Sequence, residues 1–303
     1  MQKDMRDAFF DGLYECVEKD KNVIVITADH GAFGLSKIEE DYPEQFYNFG
    51  IAEQNMISVA AGLARCGKIV FVYSINNFIS LRSLEQVNID LCAMNLNVNL
   101  IGVGAGFTYS TDGPTHQGMQ DMQAMMVLPG LEVYNVTDDI NSKSLAQIGC
   151  SVSGPKYFRI EKGLFPRQYQ EGQDFNSGLE VLKESDSAYI ISTGFMTKVS
   201  VEILDVVDDV GIVDLYRVKP INEEKLLSAI SKVKKVITIE ECTQSGGIGE
   251  KIGFIIAKNR LDVDFLPISV TEQHCYYYGT REMLHKEYEI DIDSIKRKIK
   301  DFL

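Results

Sequence analysis

Short apolar, β-branched runs alternate with longer helical patterns along most of this chain, and few folds accommodate that rhythm. Val23-Ile24-Val25-Ile26-Thr27, Ile69-Val70-Phe71-Val72-Tyr73 and Val98-Asn99-Leu100-Ile101-Gly102-Val103 read as buried strands. The stretches from Glu53 to Arg65 and from residue 79 to 94 read as the helices between them. Strands buried on both faces and separated by helices imply a parallel sheet covered on both sides, with ligands held where loops leave the carboxyl ends of the strands. The rhythm breaks once, from 164 to 178, where glycine, proline and polar residues gather without apolar periodicity, and then resumes. The later strands are expected at 188–192, 212–215 and 236–239, with helices after the first two and another opened by Gly246-Gly247-Ile248-Gly249. The expectation is therefore an α/β chain of two parallel-sheet domains, 1–163 and 179–303, joined by a linker at 164–178.

A length of 303 residues suffices for two such cores. The net charge of −14 excludes nucleic acid and anionic membrane surfaces as partners, since both select clustered Lys and Arg. No apolar run approaches a bilayer span, and the charged start of the chain lacks the apolar stretch of a signal peptide, so a cytoplasmic location is expected. The six cysteines form no Cys-x-x-Cys pair and read as reduced thiols; with four scattered histidines they suggest no metal site.

Two segments carry chemistry. Asn48-Phe49-Gly50-Ile51-Ala52-Glu53-Gln54-Asn55-Met56 leads into an apolar helix. On spacing alone, Glu53 is an acidic residue in a first turn, worth roughly 0.3–1 kcal/mol through the helix dipole. The second segment runs from Gly104 to Gly118 after a buried strand and contains Asp112-Gly113-Pro114-Thr115-His116-Gln117. Long polar loops in that position are often functional, whereas Gly104 and Gly106 lack the third glycine of a dinucleotide fingerprint.

With Ile26-Thr27-Ala28-Asp29, Ala60-Ala61-Gly62-Leu63-Ala64, Leu128-Pro129-Gly130-Leu131, Lys219-Pro220 and Glu240-Glu241 in collinear order, these segments make the chain resemble the C-terminal portion of transketolases and of deoxyxylulose-phosphate synthases. The resemblance implies a pyrimidine-binding domain for thiamine diphosphate, followed by a C-terminal domain that builds the oligomer. It implies that Glu53 is the carboxyl bonded to N1′ of the coenzyme's aminopyrimidine, that Phe78 is the aromatic platform, and that Ile51 and Gln54 flank the ring. Asp112 and His116 match residues that contact sugar hydroxyls, with His116 able to shuttle a proton. Arg159 matches a phosphate-binding arginine, and Arg6 lies near a second such position, though a surface ion pair is the simpler reading for it.

His30 stands where relatives carry an apolar prop for the coenzyme and is placed beside the substrate. Asn76 replaces a common Phe, Gly104 a common His, and Tyr276-Tyr277-Tyr278-Gly279 a His-Gly approach. Glu240-Glu241 suits either a subunit contact or a solvated strand end. The Gly-Asp-Gly of the diphosphate-binding half does not occur in the chain. The resemblance thus implies a split enzyme: a larger partner subunit would hold the diphosphate and Mg²⁺, around a homodimeric core in an α₂β₂ heterotetramer. The implied activity is two-carbon ketol transfer between sugar phosphates. A decarboxylating ligase of the synthase type, a 2-oxo acid dehydrogenase β subunit and a non-catalytic partner subunit remain as alternatives.

Overall fold

The structure, a computed structural model, describes residues 2–29, 31–204 and 209–303. The first domain supplies β1 (Val23–Thr27), β2 (Phe46–Asn48), β3 (Ile69–Ile75), β4 (Val98–Val103), β5 (Glu132–Asn135) and β6 (Lys156–Ile160). The second supplies β7 (Glu180–Lys183), β8 (Ala188–Ser192), β9 (Val210–Asp214), β10 (Arg217–Lys219), β11 (Lys235–Thr243) and β12 (Asp264–Val270). They form two sheets, ordered β10-β5-β6-β4-β3-β1-β2 and β12-β11-β8-β9-β7. Both are parallel except for one edge strand each: β10 runs antiparallel to β5 and β7 antiparallel to β9. The division of the chain is not a clean cut, because β10, flanked in sequence by strands of the second sheet, completes the edge of the first.

Side chains of the first sheet alternate between two cores. Phe71 and Tyr73 pack with Phe9, Phe10 and Leu13 of the Met5–Lys19 helix, while Val70 and Val72 pack with Met56, Ile57, Ala60 and Ala61 of the Glu53–Arg65 helix. That i, i+1, i+4, i+5 stripe is what holds the second helix on the sheet. Each fully buried Met or Ile contributes about 1.5–3 kcal/mol, well above the dipole contribution of one acidic residue. The helix therefore does not require a carboxylate at its buried first position.

The helix expected from 79 to 94 is broken. A turn at Asn76–Ile79 stops at Ser80, a second spans Leu84–Gln86, and a wide π turn covers Val87–Cys92. The hydroxyls of Ser80 and Ser83 bond the carbonyls of Asn76 and Phe78, competing with the helical ladder.

Residues 164–178 contain no helix or strand, yet they form a packed strap. Phe165, Tyr169 and Phe175 are buried, and the backbone amides of Gln168 and Tyr169 donate to Asp138 at 2.7 and 3.0 Å. Three aromatics spaced irregularly give no period, which is why the segment reads as loose in sequence.

Candidate active site

The site begins where β2 ends. Gly50, at φ +67°, turns the chain so that Glu53 opens its helix with its side chain 2% exposed. Its Oε2 accepts a hydrogen bond from Arg82 Nη1 at 2.9 Å. Its Oε1 is buried and has no hydrogen-bond partner among the described residues. Ile51 and Gln54 flank it on the surface, and Gln54 Nε2 donates to the carbonyl of Arg82 at 3.1 Å. Arg82 was not anticipated: it falls in the segment whose periodicity suggested an unbroken helix, and no motif marks it.

The Arg82 guanidinium lies 4.2 Å from the ring centroid of Phe78, and the His116 ring meets Phe78 edge-on at 5.1 Å. Arg82 thus joins Glu53, Phe78 and His116 into one row. His116 reaches this place because Asn76 and Asn77, directly after β3, tie down the loop that carries it. Asn76 Nδ2 donates to the carbonyl of Gly104 at 2.7 Å, and Asn77 Nδ2 to those of Thr115 and Gln117 at 3.2 and 3.0 Å. The asparagine at 76 therefore anchors the loop. His116 Nδ1 is 2.9 Å from Thr115 Oγ1.

Tyr109 fills the space left by Gly104. The glycine sits at φ +102°, and a Cβ there would collide with the tyrosine ring, whose edge faces His116 at 6.2 Å. Arg6 lies beside Tyr73 and Tyr109, half-buried, and its contact with Asp7 is long at 3.4 Å. Asp112 stays on the exposed outer turn with Thr111 as its side-chain partner. Tyr278, from the second domain, covers Gly113 beside it, so the replacement noted near the C-terminus lies against this loop.

Arg159 is placed elsewhere. It is buried, its Nε pairs with Asp121 at 3.0 Å, and its Nη2 donates to the carbonyl of Gly118 at 2.6 Å. With the guanidinium engaged inside the core, the phosphate-binding expectation gives way to a role in bracing the loop end. His30 lies outside the described residues. Among the described residues, no group of three or more His, Cys, Asp or Glu side chains is arranged to hold a metal.

Glu240 and Glu241 are buried within the chain. Glu240 accepts from the amides of Ile248 and Gly249, capping the next helix, and burial pushes its carboxyl up to about 7. Glu241 accepts from Arg281 Nε at 2.8 Å, from His285 Nε2 and from the amide of Phe107 at 3.3 Å. Arg281 also forks onto Glu161 at 2.9 and 3.0 Å, clasping the end of β6 to the second domain. Despite its burial, Glu241 is held below the ordinary carboxyl range by Arg281 and His285.

Residues 1–168 match the family described as "Transketolase, pyrimidine binding domain", and residues 178–295 match "Transketolase, C-terminal domain". The chain belongs to the transketolase family. It is 31% identical to a putative transketolase C-terminal section of Methanocaldococcus jannaschii, over 98% of this chain and 95% of that protein. It is 31% identical to a 6-deoxy-6-sulfo-D-fructose transketolase subunit of Clostridium sp., over 84% and 81% of the two chains. With 1-deoxy-D-xylulose-5-phosphate synthase of Corynebacterium glutamicum the identity is 29% over 97% of this chain, which spans about half (48%) of that protein. A solved structure described as a split gene transketolase, inactive beta4 tetramer, superposes with a TM-score of 0.88 at 26% identity, covering 98% of this chain and 97% of the other. The two α/β domains are thus those of a transketolase of the split kind.

Proposed function

We propose that this chain is the smaller subunit of a thiamine-diphosphate-dependent enzyme that transfers a two-carbon ketol unit between sugar or sugar-phosphate substrates. A larger subunit would grip the diphosphate and Mg²⁺, most simply as an α₂β₂ complex in the cytoplasm. The observation that carries the reading is the buried Oε1 of Glu53, which has no partner among the described residues. Leaving such an atom unpaired costs on the order of 1–3 kcal/mol, so a hydrogen-bonding ligand is the natural completion of the site. The aminopyrimidine fits: its N1′ would meet Oε1, its face would lie against Phe78, and Ile51 and Gln54 would border it.

When bound, the coenzyme supplies the nucleophilic carbon for ketol chemistry. The chain's own contribution is to hold a proton between Glu53 and N1′ and to screen that contact from water by burial. At the row's other end, half-buried His116 offers an imidazole to a substrate oxygen, and exposed Asp112 can receive a sugar hydroxyl. The split-gene relative described as an inactive beta4 tetramer supports the need for a partner. So do the subunits of split transketolases among the relatives.

The test is reconstitution with a partner chain carrying Gly-Asp-Gly and a downstream Asn, with hydroxypyruvate as donor and an aldose as acceptor. Ketol transfer dependent on both chains, and lost in Glu53→Gln, is expected. Carboligation from pyruvate would instead place the complex with the synthases, and full turnover by the Glu53→Gln complex would remove the proposed role.

A further inference from the structure

Glu53 presents an unusual pairing pattern. One carboxylate oxygen is engaged and the other is open, although both belong to a side chain that is 2% exposed. The engaged oxygen is held by Arg82, whose own side chain is 44% exposed at the rim. An arginine so exposed would ordinarily sample many rotamers, but this one is fixed from three sides. Its guanidinium lies over the Phe78 ring, its Nη1 bonds Glu53, and its carbonyl accepts from the side chain of Gln54. The break after Ile79 makes this possible. The chain turns at Ser80, and the amide of Arg82 bonds back to the carbonyl of Asn77 at 3.3 Å. That turn brings residue 82 onto the same side as Phe78.

A free carboxylate rotates about its terminal torsion with two nearly equivalent orientations. Gripping one oxygen with a planar, charged donor removes that freedom and directs the other. The cation also offsets the burial of a negative charge.

We propose that Arg82 is a positioning residue. By holding Oε2, it presents Oε1 of Glu53 as the oxygen that meets the pyrimidine edge of the coenzyme. This rests on the reading of Glu53 given above. Arg82 acts through Glu53, so the effect of replacing it is contained within the effect of replacing Glu53.

Calorimetric titration of thiamine diphosphate into the reconstituted two-chain complex tests this, with Arg82→Gln, Arg82→Lys, Glu53→Gln and the double variant. Arg82→Gln should weaken coenzyme binding about tenfold, the loss of one charge-assisted contact. Arg82→Lys should recover part of that loss by keeping the charge without the planar stack. The double variant should bind no worse than Glu53→Gln alone. The thermal unfolding midpoint of the coenzyme-free complexes should fall for Arg82→Gln, which strands the buried Glu53 carboxylate, and return toward the wild-type midpoint in the double variant, where residue 53 carries no charge. Wild-type binding by Arg82→Gln overturns the proposal. Tighter binding does so too, because the guanidinium would then be an occupant of the ring's place. Additive losses in the double variant would show that Arg82 acts independently of Glu53 and equally overturn it. If Glu53→Gln itself binds and turns over normally, the function proposed above falls and this role falls with it. If Glu53→Gln is impaired and Arg82→Gln is not, this role alone fails.

Discussion

Two places in this molecule bury glutamates beside arginine, and they are finished differently. At the domain junction, both oxygens of Glu161 and both of Glu241 have partners, drawn from Arg281, His285, Thr108 and the amide of Phe107. At the end of β2, Glu53 has Arg82 on one oxygen and nothing on the other among the described residues. No other carboxylate oxygen among the described residues is buried and unpartnered. A chain that satisfies its structural carboxylates so fully, and leaves one half-satisfied at a helix start, separates a brace from a binding group. Burial alone does not make that distinction, since all three glutamates are nearly inaccessible. The count of partners does.

The largest effect should come from breaking the brace. Arg281→Ala strands two buried carboxylates and should cost about 3–5 kcal/mol in denaturant unfolding of the chain. A loss below about 1 kcal/mol would mean that the junction is not an interior network. Glu53→Gln should do the reverse, leaving unfolding within about 1 kcal/mol of wild type while lowering turnover of the reconstituted complex about a hundredfold or more. Comparable losses of stability at both places would erase the contrast.

Glu240 sharpens the comparison as an intermediate case, buried with hydrogen bonds from Cys242 and two amides but no direct cationic partner among the described residues. Its carboxyl is raised by burial from an ordinary value of 4.5 to about 7. Between those values the folded chain holds a proton that the unfolded chain has released. Stability from this group therefore falls as pH rises through the window and levels off above it. Relative to Glu240→Gln, the wild-type chain should lose on the order of 2 kcal/mol between pH 5 and pH 8. A flat difference would show the carboxyl to be ionised throughout.

The smallest effect concerns Tyr109, whose ring meets that of His116. Tyr109→Phe removes a hydroxyl that has no hydrogen-bond partner among the described residues, so unfolding should stay within about 0.5 kcal/mol. The KM for the aldose should rise roughly threefold, as for one lost hydrogen bond. An unchanged KM would show that the Tyr109 hydroxyl does not meet the acceptor.

The sequence made the fold's main members readable because they are long and periodic. Buried runs such as 98–103 and the apolar stripe after Glu53 fall where the alternation places them, and the helix begins at Glu53 itself. Edge elements escaped. β10 contributes three residues to a sheet whose other strands precede residue 161, a pairing that no local pattern encodes. Within the candidate site, Glu53 and His116 lie in recognisable motifs and Phe78 follows only from the resemblance, whereas Arg82 depends on a helix break made by two serine hydroxyls. Arg159 shows the converse. Its position in the chain matches a phosphate ligand, but its surroundings turn the guanidinium inward to Asp121, and only packing decides that direction. Glu240 and Glu241 read as a subunit contact or a solvated strand end, because the partners of Glu241 lie as far off as Phe107, 134 residues away.

The most direct measurement is a crystal structure of the two-chain complex with thiamine diphosphate bound. Oε1 of Glu53 should lie about 2.6–3.0 Å from N1′ of the pyrimidine, with Oε2 still on Arg82. A structure in which Oε1 turns to a protein donor, or in which the pyrimidine binds away from Glu53, would contradict the account.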